Sequence, residues 1–228
     1  MNKNILIIAA HPDDEVLGCG GTILLYKKKG FNIHVAFMTD GENSRQSNQN
    51  PVSSVDIANR RESAKKCLKI LGVDSYSFNN FPDNEMDSVS ILEVTKYVEK
   101  LINEHNPSMI FTHHIGDVNI DHQICHKAVL TAARPQKSCP VKTILSFEIP
   151  SSTEWQFVSS NQSFTPNIFI DISEFFEKKI EALKCYSTEL RDSPHPRSIE
   201  GVSSLAMFRG STIGVNHAES FLLARHIS

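Results

Sequence analysis

The feature that most constrains the fold is an apolar run near the amino terminus that ends abruptly in charged residues. Residues 5–10 read Ile-Leu-Ile-Ile-Ala-Ala, and residues 11–15 follow directly as His-Pro-Asp-Asp-Glu. A continuous apolar run of this kind predicts a parallel strand that is buried on both faces. In open α/β sheets, ligands bind just beyond the carboxyl ends of such strands. We therefore expect this imidazole and these three carboxylates to lie at a binding site.

The crowding of the three carboxylates makes a bound cation one of the possibilities. Adjacent carboxylates repel one another, so they need a cation, a proton or exposure to water. His11 and Asp14, three residues apart, could offer nitrogen and oxygen to one divalent ion. Zn²⁺ accepts that mixture in tetrahedral geometry, and a catalytic zinc site keeps one position open for water. The alternative is a solvated turn in which Asp13 or Asp14 caps the next helix.

A second polar cluster follows the buried strand that we predict for residues 109–112. It contains His113, His114 and His122, and His122 opens an apolar helical pattern. We predict His122 as the third metal ligand and Asp121 as a carboxylate that orients an imidazole, as carboxylates commonly do around metals. Histidines in one loop can also be exposed polar residues. Two polar clusters at two strand ends favour a site.

Composition indicates one globular domain over residues 1–228, and 228 residues can bury a substantial core. The net charge of −3 gives no electrostatic case for binding nucleic acid or an anionic membrane. The five cysteines are scattered and form no C-x-x-C pair, which favours reduced thiols in a cytoplasmic protein. No stretch approaches the roughly 20 apolar residues of a membrane span.

Strand and helix patterns alternate through the first two thirds of the chain. Strands are predicted over 32–38, 75–78 and 109–112, and helices over 20–29, 56–71 and 88–104. This alternation predicts an α/β fold with a mainly parallel, doubly wound sheet and right-handed crossovers. Residues 44–54 are rich in Ser, Asn and Gln and are predicted to form a loop beside the site. The last third is less regular, with strands over 142–147 and 167–172 and a helix from Ser173 to Cys185.

The two polar clusters carry a family resemblance. Residues 10–15, Ala-His-Pro-Asp-Asp-Glu, and the later Asp117-x-Asn119-x-Asp121-His122 resemble the two motifs of the PIG-L/LmbE-like zinc-dependent N-deacetylases. The first motif, after an amino-terminal strand, is highly specific, and the resemblance covers most of the chain. It implies a Rossmann-like fold, a Zn²⁺ cofactor, and zinc ligation by His11, Asp14 and His122 with Asp13 as the general base.

The sequence departs from the family at one position. Many members have a histidine, assigned to oxyanion stabilisation or acid catalysis, where this chain has Asn119. Asparagine can donate a hydrogen bond, but it cannot serve as an imidazolium acid. Our candidates for the acid are therefore His195, His114 and then His113. We also expect Asn119 and His114 among the substrate-binding residues.

Three further regions are candidate substrate contacts. Arg60 resembles a substrate-binding arginine of the family, although helical arginines usually face solvent or pair with acids. Glu148 begins a polar and aromatic loop, residues 148–155, in which Trp155 could stack on a sugar ring or pack in the core. Residues 193–198, Ser-Pro-His-Pro-Arg-Ser, are rigid and cationic and suit a polar or anionic group. The alternative for this last segment is a surface turn.

The expected function is removal of an acetyl group from an N-acetylated amino sugar or its conjugate. The partner is then a small-molecule sugar, and a homo-oligomer is compatible with the sequence. One alternative is a metal hydrolase of another amide or ester. A second alternative is a nucleotide-binding module, for which the evidence is the glycine pattern Gly18-x-Gly20-Gly21. This pattern lacks the full G-x-G-x-x-G spacing. A non-catalytic zinc-binding protein is the third alternative.

Overall fold

The computed structural model of the chain describes residues 2–41, 54–157 and 163–228. Its strands are β1 (Asn4–Ala9), β2 (Asn32–Thr39), β3 (Ser75–Phe81), β4 (Met109–His113), β5 (Thr143–Phe147), β6 (Ile168–Asp171) and β7 (Ala218–His226). Its α-helices are α1 (Asp14–Lys28), α2 (Ser54–Leu71), α3 (Ile91–His105), α4 (Ile120–Ala132), α5 (Phe176–Leu183) and α6 (Ile199–Ile213). No helix in these ranges is both long and apolar enough to cross a membrane.

The strands form one sheet of seven in the order β3-β2-β1-β4-β5-β7-β6. Strand β1 lies in its interior and pairs in parallel with β2, where Ile5 faces Ile33, and with β4, where Ile5 faces Met109. Strands β3 and β5 extend the parallel part on either side. Strand β7 then runs antiparallel to β5, and β6 runs antiparallel to β7. The predicted α/β fold with a mainly parallel sheet is confirmed.

Helices cover both faces of the sheet. On β1, Ile5 and Ile7 belong to a core shared with α1, α2, α5 and α6, whereas Leu6 and Ile8 belong to a second core shared with α3 and α4. All four side chains are buried. The continuous apolar run is thus explained, because each alternate side chain of β1 enters one of two hydrophobic layers.

Helix α1 is broken in the middle, at Cys19, whose φ of −150° is not helical. The break frees backbone groups, and two buried side chains satisfy them. Glu219 accepts hydrogen bonds from the amides of Gly21 and Thr22, and Lys179 donates to the carbonyl of Leu17 at 3.0 Å. The helix predicted from residue 20 corresponds to the second half of α1.

The carboxyl-terminal third departs most from the sequence prediction. Helix α6 and strand β7 had no counterpart in it. The predicted helix start at Ser173 is wrong, because the Ser173 hydroxyl donates to Asp171 at 2.6 Å and α5 begins only at Phe176. Residues 44–53 of the predicted loop lie outside the described residues.

The order of the strands places the site. The connections run outward in one direction from β1 to β2 and β3, and in the other from β4 to β5. The carboxyl ends of β1 and β4 therefore flank the switch point of the sheet, where open α/β proteins bind ligands. Residues 11–15 follow β1 and residues 114–122 follow β4, so the two polar clusters meet at this crevice.

Candidate active site

Three buried side chains from the two clusters converge at the switch point. His11 Nδ1 lies 3.3 Å from Asp14 Oδ2 and 3.3 Å from His122 Nε2, and His122 Nε2 lies 3.5 Å from Asp14 Oδ2. A tetrahedral zinc with bonds of about 2.0–2.1 Å separates its ligand atoms by about 3.3–3.4 Å. Asp14 Oδ1 is buried and has no hydrogen-bond partner among the described residues. The triangle and this unsatisfied oxygen fit one zinc ion.

Carboxylates lie against the other nitrogen of each imidazole. His11 Nε2 is 3.1 Å from Asp121 Oδ2 and 3.1 Å from Asp83 Oδ1. His122 Nδ1 is 3.1 Å from Asp117 Oδ1. Metal-binding histidines commonly donate their second N–H to a carboxylate, which fixes the tautomer and the ring orientation. This arrangement leaves His11 Nδ1 and His122 Nε2 as the nitrogens that are free to bind a metal.

The charges at the crevice attract cations. Burial opposes protonation of His122, but the charges of Asp14 and Asp117 outweigh it and raise its pKa to about 9. Burial also lowers the pKa of His11, yet hydrogen bonds to Asp121 and Asp14 raise it well above its usual value. Burial disfavours ionised Asp14, whereas the charge of His122 and a hydrogen bond from His11 hold its pKa well below the usual range. A divalent cation could supply the positive charge that these protons supply.

Asp13 stands outside the triangle. It is the N-cap residue of α1, but its side chain makes no capping hydrogen bond, and its φ of 123° is one that L residues rarely adopt. Its amide donates to Glu15 Oε2 at 3.0 Å, and Glu15 Oε1 accepts from the Tyr186 hydroxyl at 2.7 Å. The backbone is thus held in place while the carboxylate stays available for chemistry.

Two arginines lie against the Asp13 carboxylate. Arg197 Nη1 is 3.3 Å and Arg60 Nη2 is 3.5 Å from Asp13 Oδ2. Arg60 is buried and also forms an ion pair with Glu189. Burial raises the pKa of Asp13 to about 6, against the lowering effect of Arg197 and then Arg60. A carboxyl group that titrates near neutral pH is suited to accept and return a proton.

The histidines considered as acids lie in different surroundings. His113 accepts from the amide of Ala10 at 2.9 Å and stacks on His122, and burial together with the charge of His122 lowers its pKa well below the usual value. His195 Nδ1 accepts from the amide of Arg197 at 3.1 Å, and its ring packs edge-on against Trp155. These described contacts of His195 do not reach the metal triangle.

Three of the expected substrate contacts are engaged by protein groups. Asn119 caps α4 by accepting from the amide of Asp121 at 2.9 Å, and its Nδ2 donates to Asn84 at 2.8 Å. Glu148 forms a bidentate ion pair with Arg209 at 2.8 and 2.7 Å. The ring of buried His114 packs edge-on against Phe164, with ring centroids 5.2 Å apart.

Sequence reasoning missed two acids at the site. Asp83 lies in the polar loop that follows β3, so the strand-end rule that identified the other clusters also applies to it. Glu189 lies in the carboxyl-terminal third, and its ion pair with Arg60 spans more than a hundred residues. No local pattern in the sequence indicates that pairing.

Comparison with known proteins identifies the family to which the chain belongs. The family model described as "PIG-L: GlcNAc-PI de-N-acetylase" matches residues 6–133, which include the three residues of the triangle. The chain belongs to the PIG-L family. Its resemblance to the PIG-L/LmbE-like deacetylases, inferred from the two motifs, is thereby confirmed.

The relatives of this PIG-L family protein include deacetylases. It is 31% identical over 188 residues to the uncharacterized deacetylase YaiS of Escherichia coli, covering 80% of this chain and 89% of that protein. It is 26% identical over 231 residues to diacetylchitobiose deacetylase of Thermococcus kodakarensis, covering 95% and 81%. The solved N,N'-diacetylchitobiose deacetylase of Pyrococcus horikoshii shares the fold, with a TM-score of 0.77, 23% identity, and 98% and 84% coverage.

Proposed function

We propose that this PIG-L family protein is a zinc-dependent N-deacetylase that hydrolyses the acetamide of an N-acetylated amino sugar or its conjugate. The observation that carries the proposal is the buried triangle of His11, Asp14 and His122, whose edges of 3.3–3.5 Å fit zinc. Beside it lies Asp13, a carboxyl group with a near-neutral pKa. A metal site with an adjacent acid–base group is what amide hydrolysis by water requires.

Different side chains of the site have different roles in the proposed hydrolysis. Zinc, when bound, would lower the pKa of a water molecule and polarise the acetamide carbonyl. Asp13 accepts the proton of the attacking water as the oxygen bonds to the carbonyl carbon. The imidazoles are held by carboxylates on their outer nitrogens: Asp121 and Asp83 at His11 Nε2, and Asp117 at His122 Nδ1. His11 Nδ1 and His122 Nε2 then face Asp14. Hydrolysis breaks the bond between carbonyl carbon and nitrogen and yields acetate and an amine.

Protonation of the leaving amine needs an acid, and Asp13 fits that role as well. It carries the proton taken from water and can return it to the nitrogen, so that no separate acid is required. His113 does not fit, because its lowered pKa keeps the imidazole neutral and its Nε2 accepts from Ala10. His195 and His114 remain the alternative acids.

The test is acetate release from a panel of N-acetylated amino sugars, free and nucleotide-linked, with the zinc-loaded protein. We expect acetate from at least one member of the panel and almost none from Asp13→Asn with the same zinc content. Acetate or alcohol release only from unrelated amides or esters would favour the broader hydrolase. Zinc binding without turnover of any substrate would favour a non-catalytic zinc protein.

A further inference from the structure

The carboxyl-terminal third of the chain closes over the proposed general base. Arg197 lies just before α6, and its Nη1 is 3.3 Å from Asp13 Oδ2 while its Nε donates to the carbonyl of Pro150 at 3.4 Å. The side chain of Asp13 is 2% exposed and that of Arg197 is 24% exposed. Arg197 therefore covers the base from the solvent side.

The two arginines that contact Asp13 differ in their exposure and in how closely they pair with Glu189. Arg60 is 4% exposed and is held from behind by Glu189, whereas Arg197 is 3.9 Å from Glu189 and closer to Asp13. Both guanidinium groups approach the same oxygen, Asp13 Oδ2. The other oxygen, Oδ1, takes part in none of the described ion pairs. Charged contacts that hold one oxygen restrict the rotation of a carboxylate about its Cβ–Cγ bond and thereby set the direction of its second oxygen.

No group in the loop of Asp13 itself fixes the orientation of the Asp13 carboxylate. The residue occupies the N-cap of α1, where an aspartate side chain ordinarily accepts from a backbone amide, yet no such bond forms. Its positive φ is held from the backbone side by Glu15. Backbone strain of this kind persists only where the surroundings enforce it. The direction of the carboxylate therefore depends on groups that are distant in sequence.

We propose that Arg197 is a positioning residue for the general base, which holds the Asp13 carboxylate from the solvent side in its proton-accepting orientation. This proposal rests on the proposed deacetylase function, in which Asp13 is the base. It adds to the site a residue that lies outside the matched residues 6–133.

A double-mutant cycle tests the proposal in the zinc-loaded protein. General-base catalysis contributes typically 10²–10⁴-fold, and Arg60 still contacts Asp13, so Arg197→Ala should lower kcat by roughly tenfold. KM should stay within about twofold, because the lost interaction acts on the base and not on the bound substrate. In the Asp13→Asn background the same substitution should change kcat by less than about twofold. Added guanidinium and Arg197→Lys should each restore part of kcat.

The matched control is Arg191→Ala. Arg191 is exposed on the same segment, and its guanidinium contacts only the carbonyls of Thr188 and Leu190 among the described residues. This variant should keep wild-type kcat and KM. A rise in KM with unchanged kcat in Arg197→Ala, or an equal loss in the Asp13→Asn background, would assign Arg197 to substrate binding and overturn the proposal.

A crystallographic comparison needs no turnover and separates this proposal from the function on which it rests. In the Arg197→Ala protein, the Asp13 carboxylate should leave its present position and rotate towards Arg60, whereas it should stay in place in Arg191→Ala. An unmoved carboxylate in Arg197→Ala would overturn the positioning role even if the protein deacetylates sugars. A rotated carboxylate in a protein that releases no acetate would contradict the function alone.

Discussion

Buried histidines occur at both ends of the sheet, and their surroundings differ. At the carboxyl end, the rings of His11 and His122 lie 5.3 Å apart, with a carboxylate 3.1 Å from the outer nitrogen of each. At the amino end, His34 on β2 stacks on His105 with centroids 3.7 Å apart. Among the residues that the structure describes, the nitrogens of His34 form hydrogen bonds with the hydroxyl groups of Ser75 and Ser77, at 2.8 and 3.1 Å.

The difference in neighbours reverses the effect of burial on the imidazole. Burial and the charge of His105 lower the pKa of His34 to about 4, so this ring is neutral at pH 7. At the other end, the charges of the carboxylates overcome burial and raise the pKa of His122 to about 9. A pair of close histidines is therefore not enough for a cation site. Buried carboxylates around the rings create the demand for positive charge.

The largest expected effect is the loss of metal on removing one imidazole of the carboxyl end. His122→Ala deletes a corner of the triangle, so we expect zinc affinity to fall by more than about 100-fold and acetate release to disappear. Elemental analysis after gel filtration measures the zinc content. The matched variant is His34→Ala, which removes another buried imidazole from the amino end and should keep one zinc per chain. Full occupancy in His122→Ala would exclude His122 as a ligand.

Replacing the base should separate chemistry from metal binding. Asp13→Asn keeps the size of the side chain but removes the proton acceptor, so kcat should fall by about 100-fold or more with unchanged zinc content. Steady-state kinetics and metal analysis on the same preparation measure both. Asp192→Asn, on an exposed residue of the carboxyl-terminal third, serves as control. If kcat survives in Asp13→Asn with full zinc, another group is the base.

The carboxylates behind the imidazoles should have an intermediate effect. The amides of Asn84 and Met86 donate to different oxygens of Asp121, so Asp121→Asn keeps an acceptor for only one of them and removes the charge beside His11. We expect zinc to bind about 10–100-fold more weakly, as for other carboxylate partners of metal-binding histidines. Competition with a chelator measures the affinity. An unchanged affinity would mean that the carboxylate near His11 Nε2 has only a structural role.

The parallel half of the fold and the core of the site could be predicted because their signals are local. A strand buried on both faces is a continuous apolar run, as in β1, and polar residues at its carboxyl end are contiguous with it. The same rule applied to β4 predicts that His122 lies near His11. The structure also has Asp121 beside His11, as the predicted orienting carboxylate would be.

The carboxyl-terminal part could not be predicted because its signals are not local. Helix α6 contains Gly201 and Gly210, which a sequence pattern treats as helix breakers. In the structure, a Cβ at Gly201 would lie 2.6 Å from the carbonyl oxygen of Pro196, and one at Gly210 would lie 2.7 Å from that of Val215. The glycines serve close backbone packing. The ion pair of Arg197 with Asp13 likewise joins residues whose separation in sequence hides their contact.

The smallest expected effect concerns stability at the amino end of the sheet. The pKa of His34 is about 4 in the folded protein and about 6.5 in the unfolded chain, so the unfolded chain takes up its proton first. The contribution of neutral His34 to the free energy of unfolding is therefore complete above pH 6.5, and it is lost as the pH falls towards 4. Allowing for solvent near the ring, the free energy of unfolding should fall by about 1 kcal/mol from this group between pH 7 and 5.

Urea denaturation of wild type and His34→Gln at the two pH values isolates this contribution, since both proteins keep the same carboxyl-end cluster. The wild type should lose more stability than the variant over this interval. Ser75→Asp sharpens the comparison, because it places a carboxylate near His34 Nδ1 and should raise the pKa of that ring, as carboxylates do for His122. NMR titration of the His34 ring measures that shift directly. A His34 pKa that stays near 4 beside the new carboxylate would show that burial, and not the missing charge, separates the two ends.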